Sequence, residues 1–139
     1  GDIGSLDDTE EPNTKKDNGP SSNKTELLDI TFVPHQDSPT VSSARLLIEF
    51  ATQSRAQNQA FTIYIHTDSL GDPKSKLTLS VRRAKRLSEL LLQLGVPNQL
   101  FKVIGMGSQS PVADNSTRSG RAQNNRVEVI YANSEEKMP

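Results

Sequence analysis

The 139-residue chain has no cysteine, no tryptophan, two tyrosines, four phenylalanines and two histidines. Without cysteine there are no disulfides, no thiol nucleophile and no thiolate zinc site, and redox chemistry gives no indication of compartment. The histidines, His35 and His66, fall on different predicted elements, so no metal site is predicted. A net charge of -1 sets up no overall field toward nucleic acid or an anionic membrane, and the few aromatics leave little on which bases could stack. No run approaches the ~20 apolar residues that a membrane helix needs. The acidic, polar start does not read as a signal peptide.

Enzymatic signatures are missing as well. There is no G-x-S-x-G, no nucleophile with a histidine partner, and no carboxylate pair in a hydrolase-like setting. "GMGSQS" (105–110) has only the first two glycines of a dinucleotide fingerprint and opens no convincing helix. These absences argue against an enzyme, and no cofactor is expected.

What apolar content there is, 32%, is unevenly distributed. Residues 1–26 are acidic and polar and hold few large apolar residues, so they read as a disordered linker or tail. Residues 133–139 read as a second disordered tail. The folded unit is predicted over 27–132, long enough for one core.

Within that unit, "LLDITFV" (27–33) is a strand candidate stopped by Pro34, and "HQDSP" after it is turn chemistry. From Thr40 to Gln57, Ala44, Leu47, Ile48 and Ala51 recur with helical spacing, with Ser42 or Ser43 as the predicted N-cap. "AFTIYIH" (60–66) alternates, setting Phe61, Ile63 and Ile65 against Thr62, Tyr64 and His66. "LTLSVRRAKRLSELLLQLG" (77–95) is the strongest helix, with a stripe of Ala84, Leu87, Leu91 and Leu94 and a stop at Gly95 and Pro97. "FKVIGMG" (101–107) and "RVEVIYA" (126–132) read as strands flanking a long loop. The order β-α-β-α-β-β predicts an α/β fold bordering on α+β, a small mixed four-stranded sheet with two main helices packed on it. The last strand lacks a full helix before it, which leaves an antiparallel course open to it.

One spacing carries chemistry. Asp68, in the polar "HTDSLGDP" that ends the 60–66 strand, precedes Arg83 in the next helix by fifteen residues. Ligands of open sheets bind beyond the carboxyl ends of strands, and an acid and a base a ligand's width apart suit a zwitterion, although the pair taken alone reads first as Asp68 capping its loop and Arg83 in water. The other cations nearby, Lys74, Lys76, Arg82, Lys85 and Arg86, read first as a solvated face.

"IHTDS", "LTLSVRRAKRL" and "GMGSQSPVADNSTRSGRAQNNRVEV" together resemble the OmpA-like peptidoglycan-binding domain, over about residues 60–131 and in the family's order. That family shows a G-H-T-D loop, an L-S-x-x-R-A helix, a G-x-G-x-x-x-P turn and N-x-T-x-x-G-R-A-x-N-R-R-V. The resemblance implies a periplasmic module of a Gram-negative envelope that grips meso-diaminopimelate in the peptidoglycan stem peptide. It thereby anchors a larger or membrane-attached envelope protein to the wall. On this reading Asp68 and Arg83 hold the ligand, Thr67, Ser69 and Leu70 complete the cradle, and Asn125 stands where the family keeps an arginine near the ligand. Two further departures are Ile65 for the glycine before the histidine and Lys76 for an asparagine. They motivate an alternative, a diverged domain without wall binding that contacts envelope proteins in a secretion system or flagellar motor.

Overall fold

A computed structural model describes residues 25–132; both predicted tails, apart from Thr25 and Glu26, lie outside the described residues. Along the chain run β1 (Thr25–Leu28), α1 (Val41–Gln57), β2 (Phe61–His66), α2 (Pro73–Gln93), a 3-10 turn (Asn98–Leu100), β3 (Phe101–Gly107), α3 (Arg118–Asn124) and β4 (Val127–Tyr131). The sheet order is β1-β4-β2-β3. Strands β2 and β3, joined through α2, pair in parallel from Phe61 opposite Phe101 to Ile65 opposite Gly105. Strand β4 inserts antiparallel between β1 and β2, with Ile63 opposite Val129. Among the described residues, three α-helices and a four-stranded mixed sheet make the fold α+β.

The alternation in β2 produces one buried row. Phe61, Ile63 and Ile65 sit in the core with Val127 and Val129 of β4, and with Leu47, Phe50, Ala51, Leu87 and Leu91 of the two long helices. Phe50 meets Phe61 edge to face at 5.2 Å, which locks α1 onto the sheet.

Three elements depart from the sequence expectations. Strand β1 covers Thr25–Leu28 rather than 27–33, and the chain beyond it forms a loop in which Phe32 bridges Pro39. Helix α1 is capped by Thr40 rather than Ser42 or Ser43 and buries Ser43, Leu47, Phe50, Ala51 and Ser54. Its buried stripe is thus rotated, leaving Ala44 and Ile48 exposed. The cause is that Phe50 supplies more apolar area than Ile48 could, while Ser43 can be buried because its hydroxyl accepts the Thr31 amide at 2.8 Å. Third, the long loop contains α3, capped by the Thr117 hydroxyl accepting the Gly120 amide at 2.9 Å.

Helix α2 starts earlier than its apolar stripe. Asp72 is the N-cap, accepting the Ser75 amide at 3.0 Å, and Pro73 fills the first turn. The expected stripe holds at Ala84, Leu87 and Leu91, and Gly95 (φ 91) follows the end of the helix. Close approach of α2 to β3 requires Gly105, where a Cβ would lie 2.5 Å from the Ser80 carbonyl carbon and the Val81 nitrogen. The Ser80 hydroxyl also accepts the Gly107 amide at 2.8 Å. These contacts fix the first half of α2 beside the carboxyl end of β2.

Candidate functional site

Beyond the end of β2 the chain turns out of the sheet with its polar groups matched. The Thr67 amide donates to the Gly107 carbonyl at 2.9 Å, continuing the pairing with β3 past the register shift at Ile65 and His66. The Asp68 amide donates to Asn125 Oδ1 at 2.8 Å, and Asn125 Nδ2 returns a hydrogen bond to Asp68 Oδ2 at 2.8 Å. Asp68 Oδ1 accepts from the Leu70 amide at 2.9 Å and from Lys76 Nζ at 2.8 Å. Only 8% of Asp68 remains exposed. That burial alone raises its pKa, but the hydrogen bonds from Lys76, Asn125 and Leu70, with the Lys76 charge, outweigh it and hold the carboxyl below its usual range.

Arg83 lies two turns along α2 from Lys76 and reaches the loop after β1. Its Nε donates to the Gln36 carbonyl at 2.8 Å and Nη2 to the Val33 carbonyl at 3.3 Å. The guanidinium carbon stands 4.9 Å from the Phe32 ring centre, within cation-π range. His35 holds that loop's bend with a left-handed φ of 64°. Arg83 therefore keeps several N–H donors that the loop does not engage.

Asp68, Lys76 and Arg83 line one groove of about 450 Å³, together with Thr67, Asn125 and Arg126. At its inner end Arg126 donates to Glu128 (Nε to Oε2, 2.7 Å) and to the carbonyls of Asn124 and Ser110. Glu128 Oε1 is 3.2 Å from His66 Nε2, and His66 Nδ1 is buried without a partner. Burial lowers the His66 pKa and the Arg126 charge lowers it further, against Glu128. The lowered value favours the neutral ring, and the tautomer with the proton on Nε2 pairs with the Glu128 carboxylate. Burial raises the Glu128 pKa, but the Arg126 bond and charge, with His66, bring it below its usual range.

Of the residues singled out in the sequence, Asp68, Arg83, Thr67 and Asn125 share the groove wall. Ser69 and Leu70 do not line it. Leu70 is 63% exposed with its amide on Asp68, and the Ser69 amide donates to Asn115 Oδ1 at 3.2 Å. Ile65, which replaces the family glycine, is fully buried in the core and lines the floor of the same groove. Lys76 does not belong to a solvated face, because its charge is on Asp68. Sequence reasoning missed the wall formed by Ile30, Thr31, Phe32, Pro34 and His35, and it missed Asn124. The latter is fully buried and bonds Val112, Ala113 and Asn115. The signal available for it was the N-x-T-x-x-G-R-A-x-N-R-R-V motif, whose second asparagine falls on Asn124.

Known proteins resemble this chain in sequence and fold. The outer-membrane lipoprotein YfiB of Pseudomonas aeruginosa is 43% identical over 65 residues, 47% of this chain and 39% of its own. The peptidoglycan-binding protein ArfA of Mycobacterium tuberculosis is 39% identical over 69 residues, 50% of this chain and 21% of its own. The chain thus spans well under half the length of these curated relatives. Among solved structures, the C-terminal domain of Helicobacter pylori MotB superposes with a TM-score of 0.66 at 26% identity, covering 75% of this chain and 84% of that one. The OmpA family profile matches residues 32–126, from the loop that holds Arg83 to Arg126 at the inner end of the groove, and the chain belongs to the OmpA family.

Proposed function

We propose that the groove binds peptidoglycan non-covalently through meso-diaminopimelate of the stem peptide, and so anchors an envelope protein or assembly to the cell wall. The observation that carries this reading is the placement of an acid, Asp68, and a base, Arg83, on the wall of one groove. The free end of diaminopimelate carries an ammonium and a carboxylate. Asp68 takes the first and the unengaged N–H groups of Arg83 take the second. Asn125 orients Asp68, and Thr67 holds the turn that presents it. No bond is made or broken, so the protein is a binding module of the periplasm rather than an enzyme. Belonging to the OmpA family and likeness to a protein named for peptidoglycan binding support the same reading.

A second reading is favoured by one observation: the charge of Asp68 is already met by Lys76. On that reading the domain has lost wall binding and contacts protein partners, as in a secretion system or flagellar motor. Titrating isotope-labelled protein with a diaminopimelate-containing stem peptide separates the two. Wall binding predicts saturable amide shifts at residues 66–70 and around 83. Absence of shifts there up to millimolar peptide favours the protein-contact reading.

A further inference from the structure

We propose that Lys76 is a specificity-determining residue of this site, its ammonium standing on Asp68 where a ligand ammonium would bind. The proposal rests on the peptidoglycan reading above. In it, the free protein carries an internal substitute for the cationic half of its ligand, and the open groove reads carboxylate before ammonium.

The hydrogen-bond inventory of Asp68 is the first argument. A carboxylate offers about four acceptor positions. Oδ1 is filled by Lys76 Nζ and the Leu70 amide, and Oδ2 holds Asn125 Nδ2. An arriving ammonium therefore cannot engage both oxygens unless Lys76 leaves.

Screening supplies the second. The Lys76 and Asp68 side chains are 22% and 11% exposed, so water weakens their attraction less than it would at an open surface. Lys76 is also tethered, and faces Asp68 at a far higher effective concentration than any free ligand.

Position in the helix is the third. Lys76 lies in the first turns of α2, its amide donating to the Asp72 carbonyl at 3.0 Å. The positive end of the helix dipole disfavours a cation there, and the first turn holds no acidic residue. The Asp72 carboxylate at the N-cap and Asp68 together offset this, and Asp68 is the one that Lys76 bonds.

The consequence is a change in what the groove selects. Lys76 and Arg83 face it from the same side of α2, while the charge of Arg126 is met by Glu128 at 2.7 Å. With Asp68 neutralised internally, the charge left for a ligand is positive, and a carboxylate is bound whether or not an ammonium accompanies it.

The test uses the full chain and two tripeptides, L-Ala-γ-D-Glu-meso-diaminopimelate and its counterpart with 2-aminopimelate, which keeps the side-chain carboxylate and lacks the amine. Dissociation constants are measured by calorimetry for wild type, Lys76→Asn and Lys76→Met, the last retaining an apolar stem without charge. For wild type, removing the ligand amine is expected to weaken binding less than about 3-fold. For both variants it is expected to weaken binding roughly 10-fold or more, as loss of a charge-assisted hydrogen bond does. Both variants are also expected to bind the diaminopimelate peptide more tightly than wild type. Equal dependence on the amine in wild type and variants overturns the role of Lys76 while leaving wall binding standing. Failure of every protein to bind either peptide overturns the wall reading and this inference together.

Discussion

Replacing Asn124 by alanine tests whether the loop before α3 is held by one side chain. Asn124 Oδ1 accepts the amides of Val112 and Ala113 at 2.7 and 3.0 Å, and Nδ2 donates to the Ala113 carbonyl and to Asn115 Oδ1, both at 2.9 Å. Asn115 Oδ1 in turn accepts the Ser69 amide, so the clamp extends to the turn that carries Asp68. Each such bond contributes about 1 kcal/mol net, and a buried group left without a partner costs about 1–3 kcal/mol. Val112 is exposed, so part of the freed backbone reaches water and the upper limit does not apply. The expected loss is about 2–4 kcal/mol. With no tryptophan in the chain, urea unfolding is best followed by far-UV circular dichroism. Amide exchange should accelerate at Val112, Ala113 and Ser69. A loss below about 1 kcal/mol, or unchanged exchange at those amides, refutes the clamp.

Other perturbations address separate links. Gly120→Ala should destabilise by more than about 2 kcal/mol, because its Cβ would lie 1.7 Å from the Asp114 carbonyl oxygen and the backbone there must move. A thermal midpoint within a degree or two of wild type would contradict that packing. Acidification should weaken the fold through Asp68, Glu128 and His66, all with depressed native pKa values. In each case the unfolded chain binds the proton first. The His66 contribution is therefore complete above about 6.5 and is lost as pH falls through its lower native value; the carboxylates follow below about 4. Urea midpoints measured between pH 8 and 3 should decline in that order, and a flat profile would rule the coupling out. Lys76→Met removes the largest source of the Asp68 depression, so the acidic arm of that profile should become shallower.

Periodicity made β2, β4 and the second helix legible, while β1, expected at 27–33, lies at Thr25–Leu28. In β2 and β4 the alternating residues are the ones the core takes, and in α2 the stripe of Ala84, Leu87 and Leu91 is the buried one. Helix α1 was read with its face rotated, because apolar spacing weighs Ile48 like Phe50 and gives no credit to a serine whose hydroxyl finds a buried amide. Helix α3 has no apolar stripe to betray it; capping by Thr117 and the fit of Gly120 against Asp114 shape it. At the site, Asp68 and Arg83 were identifiable from spacing and family motifs, but their partners were not. The Asn125 amide and the Lys76 ammonium reach Asp68 only through the fold, and Arg83 is held by backbone carbonyls whose identity sequence does not encode.

The central claim is that Asp68 and Arg83 hold the cell wall, and co-sedimentation with purified Gram-negative sacculi tests it most directly. Wild type, Asp68→Ala and Arg83→Ala are compared at low salt, with circular dichroism confirming that each remains folded. The account predicts that wild type sediments with the sacculi, that Arg83→Ala stays in the supernatant, and that Asp68→Ala, which also unties Asn125 and the Leu70 amide, is retained less than wild type. Equal sedimentation of all three, or failure of folded wild type to sediment, would contradict it.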